Sequence, residues 1–514
     1  MKRNFRRLFA VIMSVLTVVM AVMPAVGAVS TAANDLPIVY VKGAGREIYS
    51  ADGHQIMPFD IEPEEQIMNQ MDTIAKAFVV SLAAGNWDYY CNTMVNIISK
   101  VFKDVVLDKN GEASDGSYII PSPAPTKKTS NFYLSNYVFN YDSRLDPWEV
   151  AEQLDDYIDQ VLKATGKKKV QIVSRCLGGN YAAAYLSRYG AEKVDTCIFY
   201  VASTKGTVVC SESFSGSFRF DADLINDYVE NNMGDDSDLA GLIKSVVSMT
   251  YSLSALHIGA NAVESVYKQI ANQLVPKMLL ASYATMPAYW SMVDDENFEK
   301  AKRFIFGDDI GQYSGLIDKI DNYHYNVMNT FEETMLQLQS EGLKVGIIGK
   351  YNIALPPVFQ SSEEQADGTI ELDYQTFGAT AANIGKTLSR DYLNSLKGTG
   401  AMDYVSPDLV VDASTCIFPD YTWFIKDSEH TDFSSAINKL IYAILGSRSQ
   451  FTIKSDKNFP QYMRYNAATK TLSPVTKADA NGSTGNEGVN FIERIIAAFN
   501  KIILFFKSIF GIVN

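Results

Sequence analysis

The stretch KKVQIVSRCLGGNYAAAYLSRYG, followed by VDTCIFYVAS, constrains this chain more than any other feature. A β-branched run of strand length leads into a turn of small residues, then into an alanine-rich run at helical period, then into a second apolar run. Upstream, YVFNYD reads as another strand. After it, Val150, Leu154, Tyr157, Ile158 and Val161 recur at three- and four-residue steps, which lays one face of a helix on a core, and Gly166 ends that helix. Strands alternating with helices are the pattern of right-handed crossovers in a parallel sheet covered by helices, so the expected fold class is α/β.

The 514 residues are 47% hydrophobic and 20% charged, ample for a buried core, which excludes a disordered tail or a disulfide-stapled miniprotein. The N-terminus, MKRNFRR and then LFAVIMSVLTVVMAVMPAVGA, has the charged start, apolar run and small-residue exit of a secretory signal peptide over residues 1–28. A retained membrane anchor is the competing reading; Pro24 and the small residues after it favour cleavage. The formal charge is -14, and losing Lys2, Arg3, Arg6 and Arg7 makes the mature chain about -18, the wrong sign for nucleic-acid binding. The expected location is secreted or associated with the cell envelope. Disulfides among Cys91, Cys197, Cys210 and Cys416 are then permitted, though no spacing requires one, and five cysteines leave at least one thiol unpaired within the chain.

LPIVYV followed by Lys42-Gly43-Ala44-Gly45 reads as a strand feeding a glycine-rich turn, and Glu64 to Asp108 is mostly helical in pattern. The first part of the core therefore spans 36–204. From 205 to 342 the alternation gives way to long apolar helical stretches, an insertion expected to form a helical cap over the strand ends, where open α/β sheets bind ligands. Met249, Met278, Met286, Tyr289 and Trp290 are candidates for an apolar pocket there, although most such residues serve as plain core. The sheet resumes with LKVGIIGKY and finishes with YTWFIK, the second part of the core being 343–450. A polar linker over 475–488 leads to an amphipathic helix at 489–514. Arg494, Lys501 and Lys507 interrupt that helix too often for a membrane span, so contact with an anionic membrane surface is expected, with docking on the protein itself or self-association as alternatives. The spaced carboxylates of Asp108–Gly116 lack the ligand spacing of a calcium loop and read as an exposed turn. No metal motif or nucleotide loop is present, and no cofactor is expected.

QIVSRCLGGN sets Cys176 on the sharp turn from strand to helix. A nucleophile there is exposed at the top of the sheet, and the start of the helix favours a thiolate. The backbone N–H of Leu177 and a second donor from Gly43 or Ala44 would form an oxyanion hole. A small buried residue at a strand–helix junction remains the alternative for Cys176.

YDSRLDPWEVAEQLDDYIDQVLKATGKKKVQIVSRCLGGNYAAAYLSRYG resembles the central block of α/β-hydrolase lipases and of the lecithin:cholesterol acyltransferase-like group. There, a Tyr-Asp-x-Arg strand end, a helix and a GHSxGG turn follow at similar spacing. PIVYVKGAG resembles their oxyanion strand, with Lys42 where His is commoner, and the likeness runs from about Leu36 to Ser447. In this chain Cys176, Arg175 and Ser174 replace the usual Ser, His and Gly, and a cysteine in a CLGG turn is similar to dienelactone hydrolases and polyhydroxyalkanoate synthases. The resemblance implies an α/β-hydrolase fold and acyl chemistry on a thiol, with partners in the order nucleophile, acid, base.

Of the four histidines, His430 fits the base, since it follows YTWFIKDSE. His54 precedes the nucleophile, and His257 and His324 fall in or beside the cap. Asp367, in a DGTI segment similar to the one that carries the acid in lipase relatives, is the first choice for the third member, and Asp412 the second. An ordinary Asp-Gly turn is the alternative for Asp367. The expected function is cleavage or transfer of an acyl group from an ester or lipid-like substrate. A non-catalytic envelope binding protein on the same fold is the alternative. Acyl polymerisation is disfavoured by export, because coenzyme A thioesters are cytoplasmic.

Overall fold

Strands buried on both faces carry near-continuous apolar runs, and IVYV, VQIVS and VDTCIFY form the middle of one sheet for that reason. In the computed structural model, which describes residues 35–481 except 44–46, 58, 60–62, 129, 131, 219–259 and 356–358, this sheet has eight strands. They are β1 (Ile38–Val41), β2 (Tyr137–Phe139), β3 (Val170–Arg175), β4 (Val194–Tyr200), β5 (Lys344–Tyr351), β6 (Thr422–Lys426), β7 (Tyr462–Asn466) and β8 (Thr471–Pro474). Their order is β8-β7-β6-β5-β4-β3-β1-β2, and every pairing is parallel except β7 with β8.

The two-residue period of the strands divides the core in two. Val39, Val41, Ile172, Cys197, Phe199, Val345 and Ile347 join one cluster, and Ile38, Tyr40, Val173, Ile198, Tyr200, Ile348 and Trp423 join the other. On the first face lie α1 (Pro147–Thr165) and α2 (Gly178–Tyr189). On the second lies α3 (Ser435–Gly446), whose Ile437, Leu440, Ile441 and Ile444 recur at helical spacing. Helix α1 starts where the Asp146 carboxylate accepts from the Trp148 N–H with Pro147 at its first position, and it stops at Gly166 in the left-handed conformation. Its five expected core residues are all buried.

Helices at Val208–Ser215, Ala260–Leu280, Asp295–Phe306, Ser314–Tyr323 and Phe331–Ser340 fall between β4 and β5, where the cap was expected. Trp290 is fully buried there, with Phe214 edge-on and Phe306 stacked, and its indole N–H donates to the Ala284 carbonyl, so it serves as core. Met286 and Tyr289 are also buried, and Met278 packs partly buried against the core; Met249 lies outside the described residues.

Two boundaries differ from expectation. The sheet does not finish with YTWFIK, because the β7–β8 hairpin, beyond residue 450, extends it along its edge. In YMRYN the buried and exposed positions partly alternate, as suits an edge, so this segment lacks the continuous apolar signal of the central strands. The expected linker is docked over its first part. The Val475 N–H donates to the Tyr462 carbonyl, and Asp479 pairs with Arg464 at 2.8 Å. The signal segment, residues 482–488 and the 489–514 helix lie outside the described residues, and among the described ones no helix is long and apolar enough to cross a membrane.

Candidate active site

Cys176 occupies a left-handed backbone conformation, φ 52°, between the end of β3 and the start of α2. A non-glycine residue is strained there and persists only where its surroundings hold it. The Cys176 N–H donates to the Tyr200 carbonyl at 3.3 Å, and its own carbonyl accepts from the N–H groups of Gly179 at 2.8 Å and Ser203 at 3.3 Å. The turn also requires glycine on both sides. A Cβ on Gly178 would strike the carbonyl oxygens of Val41 and Lys42, one on Gly179 would come within 2.5 Å of Ala202 Cβ, and one on Gly43 within 2.8 Å of Cys176 Cβ.

His430 follows β6 and a left-handed residue, Asp427 at φ 58°. Its N–H donates to the Asp367 carbonyl at 2.9 Å, and its Nδ1 lies 2.6 Å from Asp367 Oδ2. The imidazole and the Cys176 thiol act on one another electrostatically, each favouring the other's charged form. With Nδ1 committed to the carboxylate, Nε2 is the nitrogen left for sulfur. Asp367 is fully buried, and its Oδ1 accepts from the N–H groups of Thr369 at 3.0 Å and Ile370 at 2.8 Å. The Asp-Gly segment is therefore a tight turn, with Gly368 at φ 87°, and an anchored carboxylate as well.

Charges follow this geometry. Burial alone would raise the Cys176 thiol, but His430, the Leu177 N–H and the Arg175 guanidinium together hold it below an ordinary thiol. Burial alone would lower His430, but Asp367 and the thiolate opposite bring it up to about 9. Asp367 stays below the usual carboxylate range despite burial because His430, the Ile370 N–H and Lys350 favour its charge. The other four cysteines are buried free thiols, none of them in a disulfide. Burial pushes Cys416 up to about 12, raises Cys91 and drives Cys197 and Cys210 higher still.

The remaining expected residues sort by location. The Leu177 N–H points at the thiol and Gly43 lies against it, while Ala44 lies outside the described residues. Asp412 is not brought to His430. It sits in a two-stranded pairing with Thr380–Ala381, accepts from the Tyr392 hydroxyl at 2.8 Å and caps the Ser414 N–H. His54 is in an exposed hairpin turn; His324 is buried in the cap, 3.0 Å from Asp295 and stacked on Phe298; His257 lies outside the described residues.

Two nearby groups escaped the sequence reading. Lys350, fully buried, lies beneath the His430 loop. Glu371 accepts from the Val208 N–H at 3.0 Å, and the Thr207 hydroxyl donates to the Thr369 carbonyl at 2.7 Å, so the turn that carries Asp367 is tied to the first helix of the cap region. A lysine inside the apolar run GIIGKY is the signal that would have found the first, since a buried ammonium demands partners.

No family model matches the chain, and neither does any curated protein. Among solved structures, the Tle4–Tli4 complex aligns with 62% of this chain and 75% of its own at 11% identity and a TM-score of 0.24. Bromoperoxidase from Bacillus anthracis aligns with 40% of this chain and 81% of its own at 16% identity and a TM-score of 0.13. Neither likeness bears on the chemistry. The crossover-connected parallel sheet flanked by helices, with a strained strand-to-helix turn at the end of a central strand, makes this an α/β-hydrolase-like fold.

Proposed function

We propose that the protein is an ester or thioester hydrolase or acyltransferase that works through Cys176, His430 and Asp367. The observation that carries this reading is the 2.6 Å contact from His430 Nδ1 to Asp367, with the imidazole and the Cys176 thiol at a strained elbow each favouring the other's charge. In the reaction, the Cys176 thiolate attacks the substrate carbonyl carbon, and the C=O electron pair moves to oxygen, which meets the Leu177 N–H and a backbone donor near Gly43. The tetrahedral intermediate collapses, the C–O or C–S bond to the leaving group breaks, and protonated His430 supplies that group's proton. Water or an alcohol, deprotonated by His430, then attacks the acyl-thioester, and release of the product acid or ester regenerates the thiol. Asp367 keeps the imidazole tautomer fixed and stabilises imidazolium.

The decisive experiment is turnover of short- and medium-chain acyl esters by Cys176→Ala. Activity should fall by at least about 10⁴-fold, the scale on which triad members act, with thermal unfolding unchanged. Wild-type turnover by that variant would overturn Cys176 as the nucleophile, and absence of turnover in the wild type as well would leave a non-catalytic binding protein on the same fold. We further propose export, directed by residues 1–28, and contact of residues 489–514 with an anionic membrane surface, for which the apolar face and the cations Arg494, Lys501 and Lys507 are the support.

A further inference from the structure

The loop that carries His430 turns its carbonyls inward. Those of Glu429, His430 and Asp432 all accept from the Lys350 ammonium, at 2.6, 3.3 and 2.7 Å. The His430 carbonyl also accepts from Arg175 Nη2 at 2.9 Å, and that of Asp432 from the Tyr200 hydroxyl at 2.6 Å. Above, the Asp432 carboxylate closes the loop by accepting from the Glu429 N–H at 2.8 Å. Tyr200 supports both cations, its ring centroid lying 5.0 Å from Lys350 Nζ and 5.8 Å from the Arg175 guanidinium, which also lies over Phe433. Three strands thus contribute one cradle, with Arg175 at the end of β3, Tyr200 at the end of β4 and Lys350 in β5.

We propose that Lys350 and Arg175 are positioning residues that hold the His430 loop so that its imidazole faces the Cys176 thiol. The proposal rests on the reading of Cys176 and His430 as a reacting pair. Loops are the mobile part of a fold, and a base carried on one needs its backbone fixed to within a fraction of an ångström. Three carbonyls replace water around an ammonium that is expensive to bury and that makes no salt bridge at bonding distance among the described residues. The neighbouring Asp367, Asp432 and Glu429 favour its charge, while burial and Arg175 push it down to about 7. Arg175 stands where the resembling turns carry histidine. That departure acquires a reason here, because the residue next to the thiol grips the backbone of the base.

The test is the pH profile of Cys176 alkylation by iodoacetamide, measured on the full chain. In the wild type the midpoint should lie below that of an ordinary thiol, and His430→Ala should raise it. Lys350→Met and Arg175→Met should each raise it by about one pH unit, a loss of about tenfold in rate at neutral pH, and lower kcat for ester turnover with little change in KM. Arg175→Lys should restore most of the loss. On the His430→Ala background Lys350→Met should add nothing, because it acts through the imidazole; an undiminished effect there means a direct field on the thiol and overturns the proposal. It is equally overturned if both methionine variants keep the wild-type midpoint while His430→Ala shifts it, an outcome that leaves the Cys176–His430 pair standing. A wild-type midpoint in the ordinary thiol range, indifferent to His430→Ala, removes the pair and the proposal together. Should Lys350→Met fail to fold, Lys350→Gln carries the same measurements, because the Arg175 guanidinium also acts on the thiol directly.

Discussion

Of the five cysteines only Cys176 is both partly exposed and held below its ordinary range, and burial drives the other four upward. Limiting iodoacetamide at pH 7 should therefore label Cys176 at least about tenfold faster than any other thiol, read by peptide mass spectrometry; uniform labelling would contradict this electrostatic account. The imidazole predicts a pH signature in stability. His430 is raised in the folded state, so its protonated form stabilises the fold fully below its unfolded value of about 6.5 and the benefit fades as pH rises through about 9. The advantage of wild type over His430→Gln in thermal unfolding should be largest near pH 6, on the order of 3 kcal/mol, and smallest near pH 10. Asp367→Asn removes the charge that raises His430 while keeping the shape of the turn. Ester turnover should fall by about 10²–10⁴-fold, with alkylation of Cys176 at neutral pH slowed as well.

Between strand and helix, glycine acts in two physically different ways. At Gly166, φ is 69° and no atom lies within 4 Å of a built Cβ, so Gly166→Ala meets only backbone strain and should cost about 1 kcal/mol in chemical denaturation. At Gly178 the obstacle is the backbone of the neighbouring strand end, which cannot step aside, and Gly178→Ala should cost more than about 3 kcal/mol and reduce Cys176 reactivity as well. Equal effects of the two substitutions would refute the steric reading of the elbow. The same elements show how far local sequence reaches. Helix α1, its cap and its buried face were legible because a 3.6-residue period and a terminal glycine are local properties. The β7–β8 hairpin was not, because an edge strand covers little core and its pattern is diluted by polar residues.

Across the whole molecule, the β7–β8 hairpin covers what would otherwise be an open edge. Phe424 stacks on Tyr462 at 5.0 Å, and the Trp423 indole N–H donates to the Phe459 carbonyl. A chain ending at Ser449 should lose cooperative unfolding, whereas one ending at Asn481 should keep its unfolding temperature and its turnover of soluble esters. On the proposed membrane role of residues 489–514, the chain ending at Asn481 should also stop sedimenting with anionic vesicles, and unchanged vesicle binding would exclude that role.

The class of fold and the place of Cys176 on the turn were legible in the sequence, because strand and helix periods and a glycine-flanked turn are written along the chain, whereas the order nucleophile, acid, base came from the resemblance to α/β-hydrolases. The sequence narrowed the acid to two aspartates and went no further. Asp367 and Asp412 both lie in turns, and it is the folding of the turn after β5 back beneath the end of β6 that sets Asp367, and not Asp412, against the imidazole. The Lys350–Arg175 cradle belongs to that second kind of information. Its members lie 175 and 80 residues apart from one another and from His430, and a cation's partners are backbone carbonyls that every residue possesses, so no pattern of side chains could announce them.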